Sequence, residues 1–140
     1  MQARRGIIFD LDNTLIRSNI DFRRMARALV DFLQERLGGE AVPAALADRP
    51  IAEIVEAGSA LRPALGPELW RIVAEHEAMG MQDLELEDGA REVVERLAGA
   101  GHLLAICTNN ARPATMAALR PFGEPLPFDP VISRDEVRRL

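Results

Sequence analysis

Hydrophobic and polar positions alternate between two rhythms along the chain. Arg5 to Phe9 is a short apolar run, β-branched at Ile7 and Ile8, and it stops at the polar cluster Asp10-Leu11-Asp12-Asn13-Thr14. This pattern predicts a buried strand that delivers carboxylates at its C-terminal end. From Ser18 the period lengthens to three and four residues, through Phe22, Met25, Leu29, Phe32, Leu33 and Leu37, with Arg23, Arg24, Arg27 and Asp31 on the other side. The pattern is that of an amphipathic helix. Ser18 and Asp21 have the spacing of a capping box, with Asp in place of Glu, and Gly38-Gly39 supplies the stop.

Residues 40 to 80 are Ala-rich and punctuated by Pro43, Pro50, Pro63 and Pro67, which predicts two or three further helices and no strand. Between Glu68 and Met79, the residues Leu69, Ile72, Val73 and His76 share one stripe. Leu84 to Glu87 reads as an acidic connection, followed by a helix whose stripe is Ala90, Val93, Val94 and Leu97, ending at Gly99 and Gly101. His102 to Cys107 is nearly continuous in apolar residues, the pattern of a parallel strand covered on both faces, and Thr108-Asn109-Asn110 ends it. Ala111 to Arg120 predicts a helix with Pro113 in its first turn and Pro121 beyond its last, and a third short strand is expected around Asp129 to Ile132.

The order is therefore strand, helical block, helix, strand, helix, strand, which is the order of an α/β protein with a parallel sheet. The block from about 17 to 87 is too long for a crossover and predicts an inserted helical subdomain. Residues 1–16 and 88–140 are then left to form the sheet domain. A length of 140 residues suits one domain with such an insertion.

Composition narrows the function. Apolar residues make up 48% and charged residues 28%, enough to bury a core, whereas aromatics are only 4% with no Tyr. Few stacking rings and a net charge of −5 argue against a nucleic-acid partner. All 17 basic residues are Arg, so no Schiff-base lysine can operate. With Cys107 alone there is no intrachain disulfide and no cysteine-built zinc site, and Cys107, within an apolar strand, is expected as a buried structural thiol. No segment approaches the roughly 18 apolar residues of a membrane span, so a cytoplasmic, membrane-free protein is expected.

In an open parallel sheet, ligands bind outside the carboxyl ends of the strands, where both polar clusters fall. Asp10 and Asp12, two apart on an extended segment, can converge on one site and repel unless a cation intervenes. A hard divalent ion with oxygen ligands, Mg²⁺, answers that repulsion and usually brings a phosphate. Thr108 and Asn109 precede a helix start, where a hydroxyl, an amide and free N–H groups can receive phosphate oxygens. Taken singly, Asp12-Asn13 also reads as turn chemistry and Asn110 as a helix N-cap.

The run Ile7-Ile8-Phe9-Asp10-Leu11-Asp12-Asn13-Thr14-Leu15 resembles the first signature, DxDxT, of the haloacid dehalogenase-like hydrolases. Ile106-Cys107-Thr108-Asn109-Asn110 resembles their second signature, and Phe128 to Ser133 their third strand. The resemblance implies a Rossmann-like core, here an incomplete parallel sheet of three strands, with residues 17–87 as an inserted α-helical cap of C1 type. It implies Asp10 as a nucleophile forming an aspartyl-phosphate and Asp12 as the acid and base. Asp10 and the Asp12 carbonyl would hold Mg²⁺, and Thr108 the phosphate. Asp at position 12 favours phosphate chemistry on a small phosphorylated metabolite, of phosphoglycolate-phosphatase type, over dehalogenation.

Two further family signatures, a charge-balancing Lys or Arg and an acidic pair after a fourth strand, are not met. Arg134, Arg138 and Arg139 are poor substitutes because nothing in the sequence fixes them at the site, and Asp135-Glu136 lacks a preceding apolar strand. The expectation is an N-terminal fragment of a longer hydrolase, weak or inactive alone. Its first strand would be an open edge prone to self-association. An inactive fragment or pseudoenzyme that associates through this edge is one alternative. A receiver-like phospho-acceptor domain is another, although receivers have no 70-residue insertion after the first strand.

Overall fold

A computed structural model describes residues 4–82 and 84–137. Contacts divide the chain into two compact units, Met1–Asn19 with Gly80–Leu140, and Ile20–Met79.

The first unit is built on a three-stranded parallel sheet of β1 (Gly6–Phe9), β4 (Leu103–Cys107) and β5 (Phe128–Ile132), in the order β1-β4-β5. Gly6 pairs with Leu103 and Phe9 with Ile106, so β1 and β4 end at the same edge. The helices α4 (Ala90–Gly99) and α5 (Arg112–Leu119) make the crossovers, and α4 packs on β4. The central strand therefore has neighbours on both sides and β1 on one. Between Leu104 and Ile106 the register shifts, where β5 carries Asp129-Pro130 with a cis peptide bond.

The two faces of this sheet differ. Leu104 and Ile106 are buried, in register with the half-buried Ile7 and Phe9, and the Phe128 ring packs edge-on against Phe9 and Phe122. On the other face Ile8 is 72% and Leu103 52% exposed, and Cys107 is exposed. Ile8, Leu103, Ala105, Cys107 and Pro130 line an open apolar groove of about 320 Å³ there. This corrects the expectation of strands covered on both faces and of a buried Cys107. A continuous apolar run records what a strand is suited to bury, not whether a second layer meets it.

A second, two-stranded antiparallel sheet was not foreseen. β2 (Ile16–Arg17) pairs with β3 (Glu85–Leu86), and Asn19 N donates to Gly80 O at 3.1 Å. Strands of two residues carry no readable alternation, so Leu84 to Glu87 read only as a connection.

The second unit holds α1 (Phe22–Leu37), α2 (Ile51–Leu61) and α3 (Gly66–Gly80), with 3₁₀ turns at Ala44–Asp48 and Pro63–Leu65. Helix α1 buries Met25, Ala26, Leu29, Val30 and Leu33, and packs on α2. It starts later than the expected capping box. Asp21 alone caps it by accepting the Arg24 amide at 2.9 Å, and Gly38, at φ 88°, ends it. Gly58 of α2 is a point of close approach, where an added Cβ would lie 2.8 Å from methyl groups of both Leu33 and Leu69. His76 is half-buried, and Arg23, Arg24 and Arg27 are exposed.

Candidate active site

Asp10 follows β1 directly, and Thr108 follows β4 directly, on adjacent parallel strands in register. After Asp10 the chain makes a tight turn in which the amides of Thr14, Leu15 and Ile16 all converge on the Leu11 carbonyl, while Asn13 N donates to Ile16 O at 2.7 Å. Leu11, Leu15 and Ile16 are at most 2% exposed and anchor the turn in the core. The buried Leu11 lies between Asp10 and Asp12 and anchors both to the core edge. Asn13 takes φ 54°, a left-handed conformation that Asn tolerates better than most residues.

Asp10 is exposed and Asp12 is half-buried. Asn110 Nδ2 donates to Asp12 Oδ2 at 2.6 Å, joining the two polar clusters across 98 positions of sequence. Asp12 Oδ1 is buried and has no hydrogen-bond partner. A buried unsatisfied carboxylate oxygen costs stability, and such atoms collect at functional sites. Because Leu11 O takes the turn's amides, no backbone amide among the described residues donates to Asp12 O.

Thr108 is 6% exposed, with its amide on Ile132 O and its Oγ1 accepting from Asn110 N. Asn109 is exposed, and its carbonyl accepts from Arg134 Nη1 at 2.8 Å. Arg134 N also donates to Asn110 O at 3.0 Å. The expectation that nothing fixes Arg134 is therefore corrected, since the turn after β5 seats it on the Thr108–Asn110 loop. Arg138 and Arg139 lie outside the described residues. Asn110 as helix cap is corrected too: Ala111 occupies the cap position of α5, and the Asn110 side chain is committed to Asp12.

Asp135 and Glu136 are occupied structurally. Asp135 Oδ2 accepts the Arg112 amide at 2.6 Å, and Glu136 accepts from the Ser133 amide and hydroxyl and from Arg112 Nη1. The Ser133 hydroxyl first, then its amide, with Arg112 adding to them, hold the Glu136 carboxyl below its ordinary value.

The residues present suit part of an Mg²⁺ site. The exposed Asp10 carboxylate and the uncommitted Asp12 carbonyl are hard oxygen donors, and Mg²⁺ takes one or two carboxylates, with water and substrate phosphate completing its shell. Among the described residues no three His, Cys, Asp or Glu side chains cluster as a ready-made metal cage.

The sequence model of the haloacid dehalogenase-like hydrolases matches residues 7–139. The chain belongs to this family. Solved structures share the fold. A hydrolase from Pseudomonas syringae is 18% identical with a TM-score of 0.62, covering 96% of this chain and 62% of its own. A protein predicted to be a phosphoglycolate phosphatase, from Haemophilus somnus 129PT, is 18% identical with a TM-score of 0.63, covering 100% of this chain and 67% of its own. A Bacteroides fragilis protein assigned as a haloacid dehalogenase-like hydrolase gives 18%, 0.61, 98% and 66%. The chain thus spans about two thirds of the length of these family folds. No curated protein sequence matches it. Among the described residues no helix is long and apolar enough to cross a membrane.

Proposed function

We propose that the chain carries the nucleophile and the proton-transfer group of a phosphate-monoester hydrolase acting on a small phosphorylated metabolite, as phosphoglycolate phosphatases do, in the cytoplasm. The observation that carries this reading is the Asn110–Asp12 bond, which ties the Asp10-Leu11-Asp12 turn to the Thr108-Asn109-Asn110 loop at one sheet edge. In the first half-reaction an Asp10 oxygen bonds to phosphorus as the ester P–O bond breaks. The leaving oxygen takes its electron pair and a proton from Asp12. In the second, water attacks the aspartyl-phosphate, gives a proton to Asp12 and returns the Asp10 carboxylate. Thr108 Oγ1 and the Asn109 side-chain amide meet the phosphate oxygens. Asp10 and the Asp12 carbonyl would hold Mg²⁺, which supplies charge neutralisation during phosphoryl transfer.

The test is phosphoenzyme trapping by mass spectrometry, together with turnover of a panel of phosphorylated metabolites. Asp10→Asn is expected to abolish the trapped adduct, Asp12→Asn to slow turnover by about 10²–10⁴-fold, and chelation of Mg²⁺ to stop it. An adduct that persists in Asp10→Asn would overturn the assignment.

The exposed Ile8 and Leu103 favour a second reading, a chain that associates with another copy through β1. Arg4 and Arg5 precede this strand and Asp10 and Asp12 follow it, so antiparallel self-pairing would set unlike charges opposite each other.

A further inference from the structure

The loop after β4 is held from one side by the turn after β5. Thr108 N donates to Ile132 O at 3.0 Å, Arg134 N to Asn110 O at 3.0 Å, and Arg134 Nη1 to Asn109 O at 2.8 Å. That turn is itself braced, since Ser133 and Glu136 close a capping box over it and Arg112 Nη1, from α5, donates to Glu136 Oε1 at 2.8 Å. Arg134 therefore extends its guanidinium from a fixed base. We propose that Arg134 is a positioning residue for phosphate binding, holding the Asn109–Asn110 peptide in the orientation that leaves the Thr108 hydroxyl to donate to a phosphate oxygen.

The effect passes through one peptide plane. The Asn109–Asn110 bond is trans, so its carbonyl and its N–H point in opposite directions. With the carbonyl drawn to Arg134, the Asn110 N–H turns to Thr108 and donates to Oγ1 at 3.3 Å. A hydroxyl has one proton to give and two lone pairs to offer. The amide takes a lone pair, and the Thr108 proton is turned away from it toward an incoming acceptor. Were the peptide flipped, a carbonyl would stand beside Oγ1, and the hydroxyl would donate to the backbone instead. Of the two bonds that prevent this, the one at 3.3 Å is long, whereas the one at 2.8 Å comes from a charged donor and is the stronger.

This inference rests on the phosphate-ester reading above, deepening its phosphate site, and its test separates the two. Binding of inorganic phosphate in the presence of Mg²⁺ is titrated by phosphorus NMR through a double-mutant cycle. Thr108→Val and Arg134→Met are each expected to raise Kd at least about tenfold, and the double variant to stay within about twofold of Thr108→Val alone, because both act through one hydroxyl. Arg134→Lys keeps a charged donor and is expected to stay within about threefold of wild type, since a single bond to a carbonyl does not need the guanidinium fork. Losses that multiply in the double variant, or an unchanged Kd in Arg134→Met, overturn the inference. Without any ligand, hydrogen exchange at the Asn110 backbone amide is expected to quicken at least about tenfold in Arg134→Met, while the Thr108 amide, bonded to Ile132 O, keeps its wild-type rate. Equal quickening at both amides reduces Arg134 to a general structural role and overturns the inference while the function stands. Arg134→Gln, with a shorter side chain, repeats both measurements where the methionine variant does not fold. A wild type that binds no phosphate, or binds it indifferently to Thr108→Val, overturns the phosphate-ester reading, and with it the role assigned to Arg134.

Discussion

Asn13 directly follows Asp12 in the turn after β1 and takes φ 54°. A side chain branched at Cβ clashes in that conformation, whereas Gly meets no penalty. Asn13→Gly is therefore expected to change stability by only a few tenths of a kcal/mol, and Asn13→Val to lower it by about 1–2 kcal/mol, read as a shift in urea midpoint. Glu136 makes a second prediction at this scale. Its carboxyl titrates lower in the folded chain than its ordinary 4.5, so in that window the unfolded chain binds more protons and stability rises with pH. Its contribution is fully present above about 4.5 and is lost as pH falls through the folded value. Denaturation midpoints of wild type and Glu136→Gln should therefore differ at pH 6 and converge in acid. A difference that grows on acidification would show the sign to be wrong.

Among the elements, α2 is held to its neighbours by the lack of a side chain at Gly58. Alanine there gains up to about 1 kcal/mol of helix propensity, but its methyl would press on Leu33 and Leu69, both fully buried and without room to retreat. Overpacking of this kind costs about 1–3 kcal/mol, so Gly58→Ala is expected to lower the thermal midpoint and Gly58→Val to lower it further. The same scale shows what is legible in the chain. Each long element announces itself by periodicity or by an apolar run ending in polar residues, and Asp10, Asp12 and Thr108 stand out because each follows such a run. The pairing of β2 with β3 is silent because two residues have no period. The reach of Asn110 to Asp12 is silent because its partner lies 98 positions away and its local context reads equally well as a cap.

For the whole molecule, the open face of the sheet is the feature that sequence pattern could not report. A run such as Leu103 to Cys107 encodes suitability for burial, and only tertiary structure shows which of its sides is met. Exposed Ile8 and Leu103, together with the edge of β1 that is unpaired among the described residues, are expected to drive self-association of the isolated chain, which light scattering would show as a mass rising with concentration. Ile8→Glu should lower that mass at equal concentration. A monodisperse 15.4 kDa species at high concentration would remove this expectation.

The short ladder of β2 and β3 brings Asn19 and Gly80 within one hydrogen bond, and the 60 residues Ile20–Met79 leave and return through that single gate. An excursion with a closed mouth is thermodynamically interchangeable. Closure entropy grows only with the logarithm of length, so replacing 60 residues by about ten alters it by roughly 1.6 kcal/mol. A module of another length can therefore be grafted at this gate without redesigning the strands that carry Asp10 and Thr108.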